Sequence, residues 1–415
     1  MIMIIPFPQE EYENRIQNCQ NWMKKEQFEA ILAYSMGRWS MMAGRECGGN
    51  GIYYIGFNYP PYMMQIEGGR FAPYIHTQNI VFIPKTGDPS FLIPGDPEKL
   101  DEMKKQVWLD DIRLVSSKNS FIDHIIQLVQ ENGLNPAGKI GLGGKQTPIE
   151  ILMNLQKKLP STKFEVVTHK LSLLRQVKSE NELQVLRKCF EINDHGLYAM
   201  IETCKPGYSE WEVHQAMEAA MFRNGANNVW TTVHSGPRSW ARAGPDFTQR
   251  VLEEGDMVNN DYGNEYYGYH SDTNYAMIVG KARDHQNNLI RLTIKMQDAM
   301  ISETRDGVTD TQVFAAAMRV AENSPYKQYV GSFFGHAYGC GGENLILGSH
   351  VLNKPKEQQL VVKENMFMCY EPNVYMPGVG GVNLEDGLIV TSNGCEVITH
   401  NSYEAKKALN LKSYA

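Results

Sequence analysis

The chain has 415 residues, 42% hydrophobic and 21% charged, with a formal net charge of −7, the composition of a soluble globular protein with material for two domains. The acidic balance and the lack of any basic block exclude nucleic acid as the expected partner. The start MIMIIPFPQEEY has no basic segment and soon meets prolines and acids, and the seven scattered cysteines contain no CxxC; the expectation is no signal peptide, no membrane anchor, reduced thiols and a cytoplasmic protein.

From residue 10 to about 170 helical and strand patterns alternate, through YENRIQNCQNWMKKEQFEAILAY, NIVFIPKTGDPSFLIP, FIDHIIQLVQENG, KIGLGG and FEVV. This predicts an α/β N-terminal domain with a mixed sheet over residues 1–170. Gly141 and Gly143 lack the third glycine of a dinucleotide loop and are read as a strand-end turn. Within the domain, RWSMMAGRECGGNGIYYIGFNYPPYMMQIEGGRFAPY gathers Tyr, Trp and Met beside glycines. That composition suits a cage over a small, cationic group, with Tyr53 and Tyr59 as candidate substrate contacts. A dimer interface or a packed Ω-loop explains it as well.

The second domain is expected over residues 171–415. LSLLRQVKSENELQVLRKCFEINDHGLYAMIETCKPGYSEWEVHQAMEAAMFRNG gives two amphipathic helices, the second opened by Ser209 as N-cap with Glu212 in the capping-box place. LIRLTIKMQDAMISETRDG and TDTQVFAAAMRVAENS give two more. A helix pair followed by strands thus occurs twice, an α+β arrangement with an internal pseudo-twofold.

Between the pairs, DYGNEYYGYHSDTNYAMIV carries Asp261 and Asp272, and a hairpin about Tyr266 and Tyr267 sets them opposite each other. Like charges across a ladder are destabilising unless a cation shares them. Beyond the second pair, Glu371 and Glu385 face each other across a Pro/Gly turn centred near Gly378, and His336 in SFFGHAYGCGG lies between the hairpins. Four carboxylates and one imidazole suit two divalent ions, and Mn, Fe, Co and Zn all tolerate such a set. Solvated loop carboxylates account for any one of these residues but not for all five together.

RQVKSENELQVLR, KPGYSEWEV, HSGPRS, the Asp261/Asp272 hairpin, GHAYG, YEPNVY and GVNLEDGLIVT together resemble the pita-bread fold of creatinase, prolidase, Xaa-Pro aminopeptidase and methionine aminopeptidase, over the whole chain. The resemblance implies Asp261, Asp272, His336, Glu371 and Glu385 as a dimetal set, and a homodimer. The departures are specific. Peptidases of the family carry a histidine shortly after the SGP turn, near Ala243 here, and a second one seven residues past the metal histidine, where this chain has Glu343. Arginines near the second aspartate and the last glutamate are replaced by Asn274 and Asn383. The SGPR-type loop, Ser235 to Arg238, is similar to that of a divergent branch that includes the dimethylsulfoniopropionate lyases, whose acidic base corresponds to Gly342 or the adjacent Glu343.

Glu343 is therefore a candidate base, with pairing to Arg238 or Arg242 as the structural alternative. His234 is a candidate stand-in for the missing histidines, and Arg238 and Arg242 are candidates to clamp a substrate carboxylate. The expected substrate is a small zwitterion or amino-acid-like molecule. The leading expectation is hydrolysis of its C–N bond by a metal-activated water, with Glu371 shuttling the proton and without the features of a standard peptidase. A metal-dependent elimination follows, then an Xaa-Pro peptidase, then a non-catalytic binding protein.

Overall fold

The computed structural model describes residues 7–36, 53–54, 66–67, 70–71, 78–95, 97–105, 107–116, 120–144, 147–241 and 244–411, which pack as two compact units, Met1–Arg175 and Gln176–Ala415. In the first unit α1 (Gln9–Glu26) ends on Gln27, whose left-handed backbone (φ 60) turns the chain into β1 (Phe28–Met36). β2 (Ile66–Glu67) and β3 (Arg70–Phe71) form a short pair of their own. With β4 (Gln78–Pro84), β5 (Ser90–Pro94), β6 (Ile112–Val115), β7 (Lys139–Gly143) and β8 (Lys163–Val166), β1 builds a mixed six-stranded sheet in the order β6-β5-β4-β1-β7-β8. Its helices are α2 (Leu100–Lys104), α3 (Phe121–Glu131), α4 (Ile149–Lys158) and α5 (Thr168–Leu174). A Ser120–Asp123 capping box starts α3 and satisfies its first backbone donors. Its apolar side, Ile125, Leu128 and Val129, then packs with Leu32, Phe82 and Leu142 of the sheet.

Gly141 and Gly143 correct the sequence expectation. Both lie inside β7, and a Cβ would meet Ile31 Cδ1 at 2.4 Å on the first and Leu171 Cδ1 at 2.1 Å on the second. They are glycines because β7 is pressed against its neighbours, and the turn begins only at Gly144 (φ 140).

The second unit opens with α6 (Glu180–Thr203) and α7 (Glu210–Arg223), started by the complete capping boxes Ser179–Glu182 and Ser209–Glu212. β9 (Asn228–Ser235), β10 (Met257–Tyr266), β11 (Tyr269–His270) and β12 (Thr273–Ile278) follow as one antiparallel sheet. A second helix pair, α8 (Asp284–Glu303) and α9 (Asp310–Glu322), precedes β13 (Phe333–Tyr338), β14 (Gly342–Gly348), β15 (Phe367–Tyr370), β16 (Asn373–Met376), β17 (Gly380–Asn383), β18 (Asp386–Val390), β19 (Cys395–Val397) and the final helix α10 (Asn401–Ala408).

The two halves repeat one plan, which is the internal pseudo-twofold. Ser209 and Thr309 cap the second helix of each pair, and each makes an isolated antiparallel bridge to a later residue outside the strands, Val251 and Val361. The next residue in each half is a fully buried acid bonded to a cation, Glu210 to Arg238 and Asp310 to Lys354. The β9-β10-β12 sheet corresponds to β13-β15-β18, with the helices on one face. Tyr262, Tyr275 and Val233 on that face join Met217 and Met221 of α7 in the core, leaving the opposite face for polar groups. Among the described residues no helix is long and apolar enough to cross a membrane.

Candidate metal centre

Strand alternation decides which side chains meet on the free face. The β10–β12 hairpin closes through Tyr267 and Gly268, both with positive φ (50 and 81), the signature of a two-residue type I′ turn. The turn is one residue later than the sequence expectation, so Asp261 pairs with Asn274 rather than with Asp272. Moving a turn by one residue moves the partner by two and keeps the face. Asp272 consequently sits diagonal to Asp261 on the same side.

The second hairpin follows its expectation. β16–β17 pairs Asn373 with Asn383 about Gly378 (φ 75), and β15–β18 continues the same register with Tyr370 opposite Asp386. Glu371 and Glu385 fill the gap between the ladders, across from each other. Glu371 N–H donates to Phe334 O of β13 and Glu385 N–H to Asn274 O of β12, each at 2.9 Å. The two halves therefore meet at Glu385.

His336 closes the group. Its Nε2 lies 3.4 Å from Asp272 Oδ2 and 3.7 Å from both Glu371 Oε1 and Glu385 Oε1, and one ligand atom each from Asp272, His336 and Glu385 fall within 4.8 Å of one another. Burial, opposed by the His336 charge and reinforced by Asp272 and Asp261, pushes the Glu371 carboxyl up to about 7. Glu385 is raised well above the carboxylate range by burial and then by Glu371, Asp272 and Asp261. Asp261 thus acts on both glutamates although it stands outside the tightest triad. Two asparagines occupy the places where the resemblance implies arginines. Asn274 Nδ2 donates to Glu385 Oε2 and Asn383 Nδ2 to Glu371 Oε2, the latter at 3.0 Å. Neutral donors bring no positive charge to the two glutamates.

The donor set fits a divalent cation. Glu385 is fully buried, and its Oε1 has no hydrogen-bond partner, a costly state for a carboxylate oxygen unless a cation takes it. Four carboxylates with one imidazole are hard-to-borderline ligands of the kind that hold Mn, Fe, Co or Zn.

The other candidates fall out differently. His234 on β9 pairs with Asn259, two positions from the Thr232–Asp261 pair, so it shares the face of Asp261. His336 pairs with Cys369, two positions before Glu371. His234 is therefore the pseudo-twofold counterpart of His336, a relation that the sequence hides because the flanking residues of the two strands differ.

Glu343 is held by a residue that neither expectation named. It lies on β14 in step with buried Leu345 and Leu347, whereas Ile346 is the residue paired with His336. Its two oxygens take Lys178 Nζ at 2.9 and 2.8 Å, with the side chains 0% and 1% exposed. The described partner is thus Lys178 rather than Arg238, and a carboxylate held on a buried ammonium is poorly placed to collect a substrate proton.

Arg238 is engaged as well. It donates to Glu210, the buried acid that also accepts from Ser235 and Thr248, and to the Pro245 carbonyl. It pins the turn after β9 instead of reaching for a substrate carboxylate. Tyr53 is 5% exposed, gives its hydroxyl to Leu174 O at 3.1 Å and carries the Arg15 guanidinium 4.5 Å over its ring. Phe7 and Tyr12 complete the surround of Arg15 at 4.8 and 5.2 Å. The cation met by Tyr53 belongs to its own chain. Tyr59 and Arg242 lie outside the described residues.

Comparison with known proteins agrees with this architecture. Residues 184–392 match the model of metallopeptidase family M24, and residues 15–177 match the creatinase/prolidase N-terminal domain. The chain is 30% identical to the Xaa-Pro dipeptidase of Pyrococcus horikoshii over 262 residues, 62% of this chain and 72% of that one. It is 26% identical to the Xaa-Pro dipeptidase of Pyrococcus furiosus over 325 residues, 77% of this chain and 89% of the other. The solved Xaa-Pro dipeptidase from Bacillus anthracis superposes with a TM-score of 0.75 at 24% identity, covering 94% of this chain and 97% of that structure, a likeness that speaks for the fold. None of these relatives favours the lyase expectation. The chain belongs to metallopeptidase family M24, with that family's two-domain creatinase/prolidase architecture, and is at that level a metal-dependent hydrolase.

Proposed function

We propose that this protein hydrolyses the amide bond of a short peptide, with dipeptides ending in proline as the first substrate class to test. The supporting observation is the convergence of Asp272, His336, Glu371 and Glu385, with Asp261 on the same face, at the junction of the two halves. These five residues would hold one or two divalent cations, which when bound supply Lewis acidity that polarises a carbonyl and brings a water near neutral ionisation. Glu371 takes the proton of the attacking water and returns it to the departing amine, oriented by the Asn383 hydrogen bond on its Oε2. His234, on the same face as Asp261, would be the first-half residue available to contact the bound amide.

Relatives named Xaa-Pro dipeptidase favour peptide hydrolysis over the other expectations. The Lys178 pairing of Glu343 weighs against that residue as the base of an elimination. The test is turnover of Xaa-Pro dipeptides and ordinary dipeptides by metal-reconstituted protein in oxygen-18 water. Label in the freed carboxylate supports hydrolysis. An alkene product without label, or no dipeptide cleavage with any of Mn, Fe, Co and Zn, would overturn it.

A further inference from the structure

The first turn of α10 touches the metal centre from behind. Asn401 is fully buried on the helix-facing side of the sheet. Its Nδ2 donates to Asn274 O at 2.9 Å and to Tyr262 Oη at 3.1 Å, and its Oδ1 lies 3.3 Å from the same hydroxyl. Tyr262 follows Asp261 on β10, and Asn274 stands two residues past Asp272 on β12. The Asn274 carbonyl that takes Asn401 also takes the Glu385 backbone N–H at 2.9 Å. The next residue, Ser402, donates its N–H to Asp386, which follows Glu385 on β18, at 3.2 and 3.4 Å. Asp386 also accepts Thr399 Oγ1 at 2.5 Å. One helical turn is thereby bonded to all three strand segments that carry Asp261, Asp272 and Glu385, across the junction of the two halves.

We propose that this turn sets the spacing of the metal-ligating carboxylates, with Asn401 as its positioning residue. An amide side chain suits this place, because it offers a donor for the Asn274 carbonyl together with an acceptor for the Tyr262 hydroxyl. Aspartate would keep the acceptor and lose the donor. The Asn274–Glu385 backbone bond joins the first half to the second, and Asn401 fixes the carbonyl at its centre. Groups that orient ligands from outside the coordination shell govern metal affinity as well as the ligands' direction. The proposal rests on the carboxylates being metal ligands, as the proposed function requires.

The experiment is calorimetric titration of Mn²⁺ into the metal-free full chain, for wild type, Asn401→Ala, Asn401→Asp and Thr399→Val, with circular dichroism and thermal melts to establish folding. Both Asn401 variants are expected to bind Mn²⁺ roughly 10- to 100-fold more weakly while remaining folded. Thr399→Val, which keeps the side-chain shape and removes one donor to Asp386, is expected to weaken binding in the same direction. Wild-type affinity in folded Asn401→Ala and Asn401→Asp overturns the proposal. Should the Asn401 variants fail to fold, Thr399→Val decides: weakened binding supports it and unchanged binding overturns it. A wild-type chain that binds no divalent ion removes the metal centre itself, and this proposal with it.

Discussion

The side-chain amide of Asn274 donates to Glu385 while the Asn274 carbonyl accepts the Glu385 backbone N–H at 2.9 Å, so a residue of the first half grips a carboxylate of the second at two points. Asn274→Leu keeps the volume and removes the side-chain grip, leaving Glu385 Oε2 without its donor. The expected outcome is a fall in kcat/KM of roughly 10- to 100-fold with weaker metal retention, read by steady-state kinetics and metal analysis after dialysis. Wild-type kinetics would show that the cation alone orients Glu385.

The metal-free protein is predicted to lose stability as pH rises. Glu371 carries a carboxyl raised from 4.5 to about 7 by burial and neighbouring carboxylates. Between those values the folded chain holds a proton that the unfolded chain has released, so its contribution is fully present below 4.5 and is lost as pH climbs through 7. Melting temperatures of metal-free protein should fall from pH 5 to pH 8, and saturating divalent ion should cancel the fall. Glu385→Gln, which removes one buried like charge, should melt higher than wild type at pH 8 without metal and gain little from added metal. A flat profile for metal-free wild type would contradict this.

Lys178 and Glu343 are predicted to matter for folding more than for chemistry. Removing one partner leaves a buried charge uncompensated, a loss of about 3–5 kcal/mol. Lys178→Met should therefore destabilise strongly in denaturant titrations, and Lys178→Met with Glu343→Leu should recover much of the loss. Turnover per folded molecule in the double variant is expected within about tenfold of wild type, far above what loss of a general base allows. A collapse of turnover in a folded double variant would return Glu343 to the chemistry.

His234, the counterpart of His336 across the pseudo-twofold, is predicted to act on the substrate. His234→Ala should lower kcat by about 10²-fold, the cost of losing one donor to a developing oxyanion, with bound metal unchanged. His336→Ala should lose the metal. Equal metal loss in both would make His234 a ligand, and unaltered kcat would make it structural.

Much of the centre is legible in the sequence because short hairpins carry their own geometry. The Gly378 turn is fixed by Pro and Gly, which sets Glu371 against Glu385. The Tyr-rich hairpin hides its centre because Tyr267 adopts a left-handed backbone that sequence rarely assigns to an aromatic residue. Capping residues declare both helix pairs, Ser209 and Thr309 alike. Long-range partners are the illegible part. Nothing local ties Lys178 to Glu343, Arg15 to Tyr53 or Asn401 to Asn274, contacts made by chain segments far apart in sequence. A lone Asn or Lys has many uses, and only packing selects one.

The Tyr267–Gly268 loop works as a ruler. A hairpin closed by two residues fixes the register, so an added residue that slipped the pairing by one, rather than being taken up in a longer loop, would swing Asp272 and Asn274 to the helix-facing side. Such a chain would keep its composition, its helices and every acidic residue, yet have no place for an ion. Length at this single corner thus matters to the centre alongside the ligand side chains themselves.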